Sequence, residues 1–383
     1  MYPLDPLFAV VIYIIAFAVG YVLQKSYKLT QARGRYECID GMRGFLALGV
    51  FIHHSGAWGQ NFLAGTWDLS VSNLYNQFGQ TSVALFFMIT SFLFVSKLFD
   101  SQGKQFNWNS FFISRVFRLV PMFYFSIILI VVTVMYISNW KLNVSLADFF
   151  VSLFHWCFFT IYSTADVNGI GYASMVNGGV QWSLWYEWLF YFSLPLLSIL
   201  ILKKIPGIQY IVLSVVFIII FFIARDIKAY HIYCFIGGAV PVLLLRFTSF
   251  HTKIKEVYKS ILLLLCLILI VQFNTVDNIY CILLITLVFT LVAMGNSVFG
   301  ILKHPVLKLL GEICYSTYLL HSILLFLVFH FGFSFEKMRL MKPLEYCIVI
   351  FSITPALVIF SFFCYKYVEK PFIDKGKKMI RQV

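Results

Sequence analysis

The sequence predicts an all-α, polytopic transmembrane bundle of about eleven spans, each covering roughly 30 Å of hydrocarbon. Three observations carry this expectation. Apolar residues make up 61% of the 383 and charged residues only 12%, about half the charged share of a soluble domain. Apolar runs of roughly 18–25 residues recur along the chain, long enough to cross a bilayer. The basic residues also fall unevenly on the loops between those runs.

The spans are read at 7–24, 44–57, 80–97, 119–138, 181–201, 208–224, 231–245, 259–272, 278–297, 309–331 and 345–367. Residues 1–6 carry no basic run, and no small-residue cleavage site follows the first apolar stretch. It therefore reads as a retained span and not as a signal peptide. The apolar stretch 147–163 is ambiguous, and charge decides how to read it. If it does not cross, 23 of the 29 Lys and Arg residues lie on one side and 6 on the other. If it crosses, every later loop changes side and the asymmetry collapses. Basic residues collect in cytoplasmic loops, so the N-terminus is placed outside and the C-terminus in the cytoplasm. Segment 147–163 is then re-entrant, interfacial or packed within the bundle.

The same rule accounts for the net charge of +13, so nucleic acid is not an expected partner. The eight cysteines are scattered and form no CxxC pair. That spacing supports neither a disulfide framework nor a metal site, and the cysteines read as packing residues. No linker divides the chain. An extra span and loop (1–34) precede a single membrane domain (35–373), and a short basic tail (374–383) follows it.

Ionisable groups inside a membrane are costly, so each one is a candidate for function. Arg43 and His54 lie eleven residues apart. On a helix they share a face to within about 20° and are separated by a rise of about 16 Å. His53 points about 80° away from Arg43. This makes His54 the better candidate general base, the alternative being a packing histidine near the outer interface. Glu187 and His321 fall at a similar depth. Glu187 is a candidate catalytic group or one half of a structural ion pair. Arg115 and Arg118 share a helix face at the cytoplasmic entrance, where two guanidiniums suit phosphate groups. The plainer reading of that pair is positive-inside anchoring.

At these residues the chain resembles the acyltransferase 3 family, the O-antigen acetylase-like membrane acyltransferases. Ile39-Asp40-Gly41-Met42-Arg43-Gly44 with His54 is similar to the family's opening motif. Leu85-Phe86-Phe87 through Phe92-Leu93 is similar to its next helix, with Thr90 and Ser91 in place of Ser-Gly. Arg115, Arg118 and Pro121 resemble its Arg-x-x-Arg-x-x-Pro, and Trp182-Ser183-Leu184 with Glu187 its Trp-Ser-Leu-x-x-Glu. Gly311, Tyr315, Ser316, Tyr318 and His321 resemble its late helix, with Cys314 in place of a Ser, and Glu369-Lys370-Pro371 its closing Glu-x-Pro. The lost glycine at Ser91 puts close packing of that helix in question.

The resemblance implies transfer of an acyl group, most often acetyl, from cytoplasmic acyl-CoA (acetyl-CoA) to a carbohydrate hydroxyl. It implies His54, Glu187 and His321 as catalytic residues, and Arg43, Arg115 and Arg118 as ligands of the donor. Asp40, Trp182, Ser183, Tyr315, Ser316 and Tyr318 are then the substrate-binding set, and no metal is called for. The expected partners are a carbohydrate or glycolipid acceptor and the lipid bilayer, and the expected location is a bacterial cytoplasmic (inner) membrane. The competing class is a transporter or flippase for a lipid-linked sugar or acyl compound, because intramembrane His and Glu also serve proton-coupled transport.

Overall fold

The computed structural model describes residues 2–27, 36–64, 72–160, 166–247, 255–333, 337–338 and 340–382. The boundary at 34–35, the end of the 147–163 stretch, and Lys28, Arg33, Arg35, Lys253 and Arg339 of the charge count lie outside the described residues.

The described chain is helical: α1 (Pro6–Tyr27), α2 (Glu37–Ala64), α3 (Asn73–Asp100), α4 (Trp108–Ile137), α5 (Leu146–Cys157), α6 (Ala173–Val176), α7 (Trp182–Leu202), α8 (Ile208–Ala224), α9 (Ala229–Phe247), α10 (Glu256–Ile270), α11 (Ile279–Ala293), α12 (Pro305–Glu312), α13 (Cys314–Gly332), α14 (Pro343–Cys364) and α15 (Lys370–Gln382). Among the described residues, seven helices are long and apolar enough to cross a membrane, α14 and α15 counting as one continuous rod. With several such helices the chain is an integral membrane protein. Hydrocarbon offers backbone groups no partners, so spanning segments satisfy them internally as helices.

Local chemistry sets many of the helix starts. Asn107 accepts from the Ser110 amide at 2.9 Å to cap α4. Ser145 accepts from the Asp148 amide at 3.1 Å, and its hydroxyl donates back to the Asp148 carboxylate, closing a box at the start of α5. Asn278 caps α11, and Pro305 opens α12. Prolines 121, 195, 241 and 355 sit inside helices, as membrane helices tolerate.

The expected spans 44–57, 208–224, 259–272 and 278–297 form helices α2, α8, α10 and α11, which are not among those seven, and two further spans are drawn differently. The run at 309–331 is broken at Ile313, so α12 is a separate short helix and His321 lies two turns into α13. Hydropathy runs on across the break because α12 is itself apolar and buried. The expected tail is helical as well, because a five-residue π turn at Tyr365–Glu369 joins α14 to α15 without interruption. The ambiguous stretch yields α5, whose 12 residues rise about 18 Å, well short of a full crossing.

The chain divides into two compact units, residues 1–93 with 229–362, and residues 94–228 with 363–383. In the first, α2 packs on α12 and α13, and α9 and α10 each pack on α11. Glycines make these approaches close, as small residues do between membrane helices. A Cβ at Gly41 would overlap the carbonyl of Leu302, one at Gly44 would meet the Leu307 oxygen at 2.9 Å, and one at Gly311 would overlap the carbonyl of Asp40. The departure at Ser91 does not loosen its helix: Ser91 is buried, and α9 supplies the small residue instead, Gly238 lying against the backbone of Met88. In the second unit α4 packs on α5, α6 and α15, and α7 on α8, and Gly376 of α15 seats on Phe117.

A methyl group at Gly311 therefore has nowhere to go. Gly311→Ala is expected to lower the melting temperature in detergent by several degrees. Gly332→Ala, whose Cβ meets nothing within 4 Å, should leave it unchanged.

Candidate active site

In the first unit, α2 and α13 bring two imidazoles from distant parts of the chain face to face. The ring centroids of His54 and His321 are 4.9 Å apart at 48°. His321 is fully buried, and its Nδ1 lies 2.7 Å from the Tyr318 carbonyl. A carbonyl only accepts, so Nδ1 carries the proton and Nε2 keeps its lone pair in the neutral ring. That Nε2 has no hydrogen-bond partner among the described residues. An unpaired buried acceptor costs roughly 1–3 kcal/mol, a cost that a purely structural histidine has no reason to carry.

His53 completes the cluster, 5.1 Å from His54 by ring centroids. Its Nδ1 donates to the Tyr75 carbonyl at 2.8 Å. Its ring rests where Gly79 of α3 lacks a side chain, and a Cβ there would come within 2.6 Å of Cδ2. The two outer imidazoles are thus held by carbonyls, while half-buried His54 has no hydrogen-bond partner among the described residues. Sequence reasoning set His53 aside because its helical angle differs from that of Arg43. The missing signal was Gly79, whose role shows only when α3 lies against α2. Gly79→Ala should turn the His53 ring and slow turnover on the order of 10–100-fold, measured beside the folded yield.

The other residues expected in this unit fall on the same two helices. Tyr318 lies 6.1 Å from His321 by ring centroids. Tyr315, Ser316 and Tyr318 are buried in α13, while Asp40 and Arg43 are half-buried on the first turns of α2. The motif around Asp40 has a packing duty besides any chemical one, since Gly41 and Gly44 admit the 302–310 segment and the Asp40 carbonyl receives Gly311.

The second unit holds Arg115, Arg118, Trp182, Ser183 and Glu187. The Arg115 guanidinium lies 4.8 Å from the Phe94 ring, hydrogen-bonds Ser114 Oγ at 2.9 Å, and shares a hydrogen bond with Tyr191. Glu187, one turn before Tyr191 on α7, is within electrostatic reach of both. Tyr191 was not singled out in the sequence. Its signal is the i,i+4 spacing from Glu187. Arg118 pairs with Glu369 at 2.7 Å, and the carboxylate is fully buried. The Arg-x-x-Arg and Glu-x-Pro motifs therefore meet. Ser183 Oγ donates to the Val180 carbonyl at 3.1 Å, and the Trp182 ring packs 6.0 Å from Tyr186.

Residues 36–365 match a family profile described as an acyltransferase domain. The chain belongs to the acyltransferase 3 family. The resemblance read from the six motifs is borne out, and α1 precedes the matched region. Among curated proteins, nodulation protein 10 of Rhizobium leguminosarum bv. viciae is 26% identical to this acyltransferase 3 chain over 173 residues. That match covers 43% of this chain and 44% of the relative, so the chain spans less than half of that protein's length. No solved structure matches.

Proposed function

We propose that this membrane protein moves an acyl group, acetyl in the first instance, from cytoplasmic acyl-CoA to a hydroxyl of a surface or exported carbohydrate. The observation that carries the reading is the His54–His321 pair, with one imidazole fixed in tautomer and the other unrestrained. Membership of an acyltransferase family supports it. The acceptor is a glycan or glycolipid, and the enzyme works in a bacterial inner membrane with its donor side facing the cytoplasm.

His54 acts as general base. Its free nitrogen takes the proton of the acceptor hydroxyl as the oxygen attacks the thioester carbonyl. A C–O bond forms and the C–S bond breaks. The proton passes from the imidazolium to the departing CoA sulfur, so the ring ends neutral. His321 Nε2 accepts a hydrogen bond from the acceptor or from His54, and Tyr318 lies beside the same pair. Asp40, Tyr315, Ser316, Trp182 and Ser183 bind substrate. Arg43, Arg115 and Arg118 bind the donor phosphates. Glu187 orients Arg115 and Tyr191.

The test is acetyl-CoA turnover by purified protein in nanodiscs, read as free thiol, with and without an extract of surface glycans. Acceptor-stimulated thiol release is the expected result. Folded protein that releases no thiol from any acyl-CoA, with any extract, overturns the reading.

A further inference from the structure

The first unit contains a cavity of about 400 Å³ that the chemistry above does not use. It lies between α2, α3, α10 and α11, and Val298, Ile301 and Leu302 also line it. Its walls are aliphatic and aromatic, among them Phe45, Leu46, Phe78, Leu85, Leu267 and Val292. Besides Ser82, the polar groups on the wall are Thr81, Gln77 and Tyr13, and these three are already engaged. The Thr81 hydroxyl donates to Gln77 Oε1 at 2.6 Å, the Gln77 amide to the Phe273 carbonyl at 2.7 Å, and the Tyr13 hydroxyl to the Phe45 carbonyl at 3.2 Å. A wall of this kind gives water few partners, and apolar cavities stay dry and take up hydrocarbon.

Two further observations identify the hydrocarbon. Leu264 and Ile301 line the cavity and are also 42% and 48% exposed, so its mouth opens on the outer surface of α10. That surface is itself apolar: Leu262, Leu265, Ile268 and Leu269 are exposed beside the mouth, as on a helix facing lipid. The wall contributed by α2 is Met42, Phe45 and Leu46. These residues are turned roughly 60–160° away from Arg43 on the helix, so the cavity does not share the Arg43–His54 face. Along α3, Gln77 to Leu85 spans an axial length of about 12 Å.

We propose that this cavity is a binding site for one alkyl chain of a bilayer phospholipid, inserted sideways between α3 and α10. The bound chain wedges the α10–α11 pair against α2. It is a structural ligand and not the donor's acyl group.

Photocrosslinking in nanodiscs tests this. One arm uses a phospholipid with a mid-chain diazirine, the other a diazirine-bearing long-chain acyl-CoA, and adducts are mapped by peptide mass spectrometry. Expected are phospholipid adducts on Leu263, Leu267 and Phe78. They should fall at least fivefold in Leu264→Trp, which plugs the mouth, and in Val292→Phe, which fills the interior, while adducts on exposed Ile268 stay constant. The wild-type map decides the matter even where a variant fails to fold. Adducts confined to exposed residues overturn the proposal. Labelling of the cavity by acyl-CoA but not by phospholipid also overturns it, and would make the cavity a donor channel. The readout involves no turnover, so it is independent of the proposed reaction.

Discussion

Replacing His54 with alanine is expected to lower acceptor-dependent thiol release by about 10²–10⁴-fold, the range a positioned general base contributes. Folded yield should not change, because half-buried His54 has no hydrogen-bond partner among the described residues to lose. His54→Gln should be as inactive as the alanine variant, since an amide cannot take up a proton near neutral pH. The neighbour gives a sharper comparison. His321→Asn keeps a nitrogen near the position of Nδ1, able to donate to the Tyr318 carbonyl, but has nothing where Nε2 was. If Nε2 is the working atom, His321→Asn folds normally and turns over poorly. Undiminished thiol release by folded His54→Ala would remove histidine base catalysis from the account.

The pair between Arg118 and Glu369 should carry the largest effect on stability. Glu369 is fully buried in the π turn, with the Arg118 guanidinium 2.7 Å away and 21% exposed. Removing one partner of a buried pair typically costs about 3–5 kcal/mol, because the remaining charge loses a close counterion in a poorly solvating environment. Arg118→Ala is therefore expected to melt far below wild type in detergent, and to release α15 from α4, where Gly376 seats on Phe117. A double change to Arg118→Met and Glu369→Leu removes both charges and should recover most of the stability. Coupling in this cycle separates the ion pair from the separate loss of two side chains. A single variant as stable as wild type would show that the pair contributes nothing to the fold. Turnover measured on the double variant then reads what Arg118 adds to donor binding, free of a folding defect.

The closing helix shows why part of the fold was legible and part was not. Its apolar run, from 345 onward, was readable because hydropathy is a property of consecutive residues. The π turn and the helical course of the basic tail were not, because α15 owes its place to Phe117 and Arg118 on another helix. The break at Ile313 was hidden for a similar reason. Both α12 and α13 are apolar, so hydropathy runs on across the break, and only the structure shows Gly311, just before it, seated against the Asp40 carbonyl of α2. In the candidate site, the Arg43–His54 stripe followed from helical period alone. His53 did not, since its anchor on Tyr75 and its room beside Gly79 belong to α3.

The sequence by itself determined the membrane character, the position of most helices and the family. Those rest on composition, on the 3.6-residue period and on short motifs, all written in neighbouring residues. Only the tertiary structure decided that His54 meets His321, that Arg118 holds Glu369, and that an apolar cavity opens beside Leu264. Each of these joins residues far apart in the chain. Such encounters depend on which backbones can approach, and that is set by glycines whose absent side chains matter only once a partner helix is in place.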